Sequence, residues 1–244
     1  MKSDILKFSE KITEGLDKTT TKFVSEMIYG IERSNSILFS EIARALKERI
    51  KLKNTIERLC NNCNESSDEE LNIIKENYFN IALKQLSDDE IILIEDDSDV
   101  NKEYSNKLED LCTVRDASSK QEKYVNGYHV CEIVGLSKNE YQPISLYSKI
   151  YSTESKKFKS CPNETIKSEK YVIDKIRENR NSKNIVVKDR DYDSFELFNS
   201  SMAMNQADEN TVIYYPGDGN VLPLRPYLMP DSEWIKRFNS IKEK

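Results

Sequence analysis

The hydrophobic positions of the first sixty residues recur at helical spacing. Leu6, Ile12 and Leu16 mark a first helix, and the hydroxyls of Thr19-Thr20-Thr21 offer an N-cap to a second that carries Phe23, Val24, Met27, Ile28 and Ile31. Gly30 and the cluster Ser34-Asn35-Ser36 interrupt that pattern. A third helix is predicted with Ile37, Phe39, Ile42, Ala43, Leu46 and Ile50 facing inward, and a fourth runs through Leu52, Ile56 and Leu59. The polar stretch from Asn61 to Asp68 then reads as a linker. Ser67-Asp68-Glu69-Glu70 looks like a helix start, ahead of Leu71, Ile74, Tyr78, Ile81, Ala82 and Leu86.

Beyond residue 86 the periodicity changes from helical to extended. Ile91-Ile92-Leu93-Ile94 is a short run rich in β-branched residues, which predicts a buried strand. It runs into Glu95-Asp96-Asp97-Ser98-Asp99, four acids within five residues at what reads as the strand's end. Residues 100–126 are polar and without period, an excursion past that end. Tyr128 to Leu136 predicts a second strand, Lys138-Asn139-Glu140 a turn, and Gln142 to Tyr151 a third strand, antiparallel to the second. Asn163-Glu164-Thr165 opens a helix with Ile166, Tyr171, Val172, Ile173 and Ile176 on its apolar side. Asn184 to Lys188 is a fourth strand that delivers Asp189, and Tyr192 to Phe198 a further helix. A strand, a crossover helix and another strand place the fourth strand parallel to the first. Ligands of open α/β sheets gather at strand carboxyl ends, where this reading puts Asp96 and Asp189.

Composition narrows the classes. The chain has 244 residues, 37% hydrophobic and 33% charged, with 6 Gly and 6 Pro, which suits a folded chain with one sizeable core and a smaller second domain. No apolar run approaches the roughly eighteen residues that span a bilayer, and Met1-Lys2-Ser3-Asp4 lacks a signal peptide's apolar core, so no membrane partner and a cytoplasmic location are expected. Five cysteines, an odd and sparse set, fit reduced thiols. Cys60-x-x-Cys63 is at most half a zinc knuckle, and the sole histidine, His129, sits in a predicted strand. The net charge of −6 divides unevenly: 12 basic and 9 acidic residues over 1–60, 7 and 17 over 61–127, 13 and 11 over 128–200, and 5 and 6 over 201–244. The acidity is concentrated around the first strand, and the flanking regions permit nucleic-acid binding without demanding it.

Crowded carboxylates raise one another's pKa unless a cation compensates, and hard divalent ions such as Mg²⁺ or Mn²⁺ suit oxygen-only ligands. A solvated acidic loop is the plain alternative. The segments Ile91 to Val100, Leu108 to Asp116, Gly127 to Val134, Pro143 to Ser148 and Val187 to Asp193, taken together in this order, resemble the DDE transposases of bacterial insertion sequences. An Asp-x-Ser after an apolar strand, followed by strand-Asp-Arg-x-Tyr-Asp, carries most of that resemblance, which covers about residues 20 to 200. It implies an α+β or α/β architecture: an N-terminal helical DNA-binding bundle over 1–62, an RNase H-like mixed sheet with flanking helices over 63–200, and a divergent Pro-rich tail over 201–244.

The resemblance further implies catalytic and metal-binding roles for Asp96 and Asp189, with Asp97 the runner-up for the first position. Two Mg²⁺ or Mn²⁺ ions would serve phosphoryl transfer between DNA strands. Double-stranded DNA at the element's terminal repeats is the implied partner, and a homodimer is compatible with it. The DNA-binding candidates are Arg44, Lys47, Arg49, Lys51, Lys53 and Arg58 on the third and fourth helices, with Arg190 beside the second acid; a solvated helix surface is the simple alternative. The sequence departs from the family where Asp191 replaces the usual Gly, and residues 200–244 lack the Tyr-x-x-Arg-x-x-x-Glu pattern that carries the third acid. Glu209 and Glu233 have the wrong neighbours, and the tail reads as that of a truncated element gene. Three functions therefore stand open: an active transposase, a catalytically inactive relative that only binds DNA, and a metal-dependent nuclease of the same fold.

Overall fold

A computed structural model describes residues 2–116, 119, 121, 123–137, 142–188 and the strand 211–214. The chain divides into two compact units, 1–82 and 83–244. The first is helical: α1 (Lys2–Ile12), α2 (Lys18–Ser34), α3 (Phe39–Leu46), α4 (Leu52–Glu65) and α5 (Asp68–Leu83). Its core is Phe23, Ile42, Ala43 and Leu59, with Val24, Met27, Phe39, Leu46 and Ile56 packed against them.

Helix boundaries follow side-chain chemistry. Asp17, rather than the threonines after it, caps α2 by accepting from the Thr19 and Thr20 amides at 2.5 and 3.0 Å. Gly30 does not interrupt α2; a Cβ there would lie 2.4 Å from Ile42 Cγ2, so its missing side chain lets α3 approach closely. The helix ends instead at Asn35, in the left-handed conformation that Asn tolerates. α3 is shorter than its apolar pattern suggests: it starts only at Phe39, leaving Ile37 exposed, and Lys47 turns left-handed after Leu46, leaving Ile50 exposed rather than inward. The linker expected from Asn61 to Asp68 is a junction of two residues, since α4 runs to Glu65. There Ser67 Oγ accepts from the Glu70 amide while Glu70 accepts from the Ser67 amide, a reciprocal capping box that starts α5. That helix belongs with the first unit rather than with the sheet. Asn77 donates to the Ile12 and Glu14 carbonyls, and Tyr78 meets Phe8 edge to face.

Among the described residues the second unit is a six-stranded mixed sheet with a helix packed on one face. Its elements are β1 (Glu90–Asn101), β2 (Cys112–Arg115), β3 (Tyr124–Leu136), β4 (Pro143–Tyr151), α6 (Cys161–Asn179), β5 (Lys183–Lys188) and β6 (Thr211–Tyr214). β3 pairs antiparallel with both β1 and β4, β5 pairs parallel with β1, and β6 parallel with β5. The spatial order β4-β3-β1-β5-β6, with two antiparallel links followed by two parallel ones, is that of an RNase H-like sheet. Two features depart from the sequence reading. The excursion after β1 contains β2, whose alternating Cys112 and Val114 bury against Val125 of β3. Gly127 admits this pairing, because a Cβ there would strike Val114 Cγ2 at 2.4 Å and the Val100 carbonyl at 2.5 Å. Residues 211–214, assigned by sequence to a divergent tail, extend the sheet as β6. The helix expected at Tyr192 to Phe198 lies outside the described residues.

Alternation along β1 creates two distinct faces. Ile91, Leu93 and Glu95 are buried on the face that α6 covers, with Ser168 of α6 donating to Glu95. Ile92, Ile94 and Asp96 point the other way. The core on the α6 side is completed by Cys131, Ile133, Val172, Ile173, Ile176 and Val186.

Candidate functional site

The acids of β1 are not a cluster at a rim. They lie within the strand, paired with β3 as far as Asn101, and the pleat sends them alternately to opposite faces. Glu95 is 1% exposed on the α6 side, and Asp97 is half-buried two residues further along the same face. Asp96 and Ser98 are exposed on the other face. Asp99 ends the inward row with a 2.8 Å contact to His129 Nδ1, and the His129 ring stacks on Tyr151 with centroids 5.3 Å apart. The histidine thus has its ring satisfied. Asp96 and Asp97, the two candidates for one catalytic role, therefore cannot serve the same site.

The most deeply buried charges were not anticipated from sequence. Lys188, at the end of β5, is 1% exposed; it contacts Glu169 of α6 and lies 3.4 Å from Glu95. Ser168 Oγ donates to Glu95 at 3.0 Å, and the Cys131 thiol lies 3.5 Å from the same oxygen. Two carboxylates face one ammonium in a nearly dry pocket. Burial, together with the charge of Glu169, raises the Glu95 pKa from 4.5 to about 8, against the opposing pull of Lys188. Glu95 thus favours its protonated form at neutral pH, which lessens the charge packed around Lys188. Burial and then Glu95 also push the Cys131 thiol well above its ordinary range. The signal in the sequence was Lys188 at an inward parity of β5, but nothing local marked its partners, Glu95 far back in β1 and Glu169 in α6.

On the outward face the antiparallel register sets Asp96 directly opposite Glu132 of β3. Residues opposite one another in such a pair point to the same side, so two carboxylates stand side by side, Asp96 exposed and Glu132 half-buried. Asp96 is the first residue of β1 beyond its last pair with β5, Glu95 with Lys188. Asp189 follows Lys188 in sequence; Asp189 and Arg190 lie outside the described residues. Among the described residues no three His, Cys, Asp or Glu side chains converge to hold a metal ion. The donor set present, two carboxylates facing each other with no basic side chain bridging them among the described residues, is nonetheless one that a hard divalent cation suits.

The basic residues of the helical unit divide into those tied up in the fold and those that are not. Arg58 is half-buried and bridges Glu26 at 2.6 Å and Glu48 at 2.9 Å, so it joins α4 to α2 rather than presenting a charge outward. Arg44 pairs with Glu41 and Lys53 with Glu57 along their own helices, as exposed pairs worth little. Lys47, Arg49 and Lys51 are exposed in and around the turn between α3 and α4. Cys60 and Cys63 lie on α4 as free thiols.

No protein-family model and no curated protein matches the chain. Among solved structures it is similar to one described as "Crystal structure of the Mos1 Strand Transfer Complex", at 10% identity and a TM-score of 0.30 over 88% of this chain and 68% of that one. A likeness of that size carries no argument here, and the RNase H-like assignment stands on strand order and direction. Among the described residues no helix is long and apolar enough to cross a membrane.

Proposed function

We propose that this chain is a transposase-like protein whose helical unit holds duplex DNA and whose sheet unit carries a divalent-metal site for DNA strand cutting and joining. The observation that supports it best is the Asp96–Glu132 pair on the face opposite α6 of an RNase H-like sheet, at the point where β1 leaves its pairing with β5. Asp96 and Asp189 are the proposed ligands. Glu132 is added to them by the strand register, where sequence pattern offered no third acid. A divalent ion held there would supply Lewis-acid stabilisation of charge on a phosphoryl oxygen. The chain's own contribution is rigidity: Asp96 is fixed by its pairing with β3, and the buried contacts of Lys188 with Glu95 and Glu169 tie down the residues that precede Asp96 in β1 and Asp189 in sequence. In the helical unit, Lys47, Arg49 and Lys51 are the residues proposed to meet phosphates, with Arg44 and Lys53 beside them.

The test is calorimetric titration of Mn²⁺ into the full chain and into Asp96→Asn and Glu132→Gln. Each substitution is expected to weaken binding at least about tenfold, since losing even the hydrogen-bond partner behind a ligand commonly costs that much and these are the ligands themselves. Equal affinities in all three proteins would sink the site. The alternative is a protein that binds DNA without cutting it. That reading draws on the lack of a three-carboxylate cluster among the described residues. Nicking of supercoiled plasmid in Mn²⁺, abolished by Asp96→Asn, separates the two.

A further inference from the structure

The stretch from Lys149 to Lys170 runs against the acidic character of the chain: six lysines against three glutamates, in a protein of net charge −6. The structure removes most of the opposing charge. Glu164 is buried and held between Lys149 at 2.6 Å and Lys167 at 2.5 Å, which keeps its carboxyl below the usual range although burial opposes this. Glu169 is buried against Lys188, leaving Glu154 as the only exposed acid of the stretch. Lys156, Lys157 and Lys159 stand exposed on the connection between β4 and α6, and none pairs with another described residue. Lys167 and Lys170, three apart on α6 and therefore on one side of it, are exposed as well.

This connection is also fixed in shape. The Glu154 amide donates to Ser152 Oγ at 3.0 Å and the Phe158 amide to the Ser155 carbonyl at 2.9 Å, folding it into two successive turns. Phe158 then lies parallel to Tyr151, with centroids 6.2 Å apart and planes within 10°. Tyr151 stacks in turn on His129, which holds Asp99. A ladder of three rings thus ties the lysine-bearing turns to the acid row of β1. A backbone already folded into turns loses less entropy on binding than a flexible loop, so lysines carried on it are better suited to a regularly charged partner.

We propose that Lys156, Lys157 and Lys159 form a second phosphate-binding surface for a nucleic-acid backbone, held in position by the Phe158–Tyr151 stack. The choice of nucleic acid among polyanions rests on the function proposed above. The contacts are to phosphates and sequence-independent, because lysines on turns supply point charges rather than a reading of base edges.

The experiment follows binding of a short duplex of arbitrary sequence to the full chain by fluorescence anisotropy, from about 50 to about 200 mM salt. In the triple variant Lys156→Gln, Lys157→Gln, Lys159→Gln, the slope of log K against log salt is expected to become shallower by about 2 to 3, as each lost phosphate contact removes about 0.9. Phe158→Ala keeps every charge and is expected to weaken binding with a near wild-type slope. Matching thermal melts show that the exposed substitutions leave the fold intact. A wild-type slope and affinity in the triple variant overturns the inference while leaving the metal reading untouched. A shallower slope in a protein whose Mn²⁺ binding ignores Asp96 retains the inference and removes the metal reading. Wild-type affinity in Phe158→Ala overturns the role of the ring stack.

Discussion

Each unit of this protein sets one cation between two glutamates, and the two arrangements behave oppositely. In the helical unit Arg58 bridges Glu26 and Glu48 with all three groups in partial contact with water. In the sheet unit Lys188 faces Glu95 and Glu169 with essentially none. Burial pushes Glu48 upward, but hydrogen bonds from Thr55 and Arg58, with the arginine's charge, outweigh it and leave its pKa below the ordinary value. For Glu95 burial wins, and the second carboxylate reinforces it. One cation between two glutamates thus lowers a carboxyl's pKa in one place and raises it in the other. Desolvation cost grows steeply as the last water leaves, whereas the pairing gained from one cation shared by two anions does not keep pace.

The largest effect should come from removing the buried cation. Lys188→Met leaves Glu95 and Glu169 buried without their cation and is expected to cost about 3–5 kcal/mol, read from urea unfolding of the sheet unit by hydrogen exchange at β1 amides. A loss below about 1 kcal/mol would break the contrast between the units.

The pH dependence should differ in sign. Glu95 has a folded pKa raised from 4.5 to about 8, so between those values the folded state binds more protons than the unfolded one. Its contribution is therefore fully present below about pH 4.5 and is lost as pH rises through about 8. Glu48 is shifted downward, so its contribution is present above its unfolded pKa and is lost as pH falls. In chelator-containing buffer, Glu95→Gln is expected to flatten the decline of sheet-unit stability between pH 5 and 8, within the window its shift defines. An unchanged profile would show that Glu95 is ionised after all.

Arg58→Met should cost the helical unit less than Lys188→Met costs the sheet, about 1–3 kcal/mol, because water reaches the glutamates left behind. Thermal melts of the two variants give the comparison directly. The smallest effect has the opposite sign. Asp96→Asn relieves like charges set opposite each other across β1 and β3 and is expected to stabilise the metal-free protein by about 0.2–1 kcal/mol while weakening Mn²⁺ binding. Destabilisation instead would mean that Asp96 is held by a partner in the fold.

Much of this architecture was legible residue by residue. Helical spacing placed α1 to α4, the Ser67–Glu70 signature marked the start of α5, and the β-branched run with a crossover predicted β5 parallel to β1. These features depend on local chemistry: periodicity, caps and connection length. The misplaced ends, at Gly30, Ile50 and Asn61, came from reading composition where a tertiary contact or a single left-handed residue decides. Gly30 marks close packing on Ile42 rather than a break, and α3 stops because Lys47 turns left-handed, not because its apolar pattern ends.

The sequence by itself therefore determined the order of the five N-terminal helices, β1, β3, β4, α6 and β5, together with the acidic character of β1 and the concentration of lysine between β4 and α6. Which acids share a site was decided only in three dimensions. Four acids in five residues look alike on paper, yet the two-residue period of a strand sends Glu95 to a dry pocket and Asp96 to water, and the β1–β3 register selects Glu132 as the neighbour of Asp96. The physical reason is that a carboxylate's behaviour is set by the groups and the water around it, and those come from strands and helices remote in the chain.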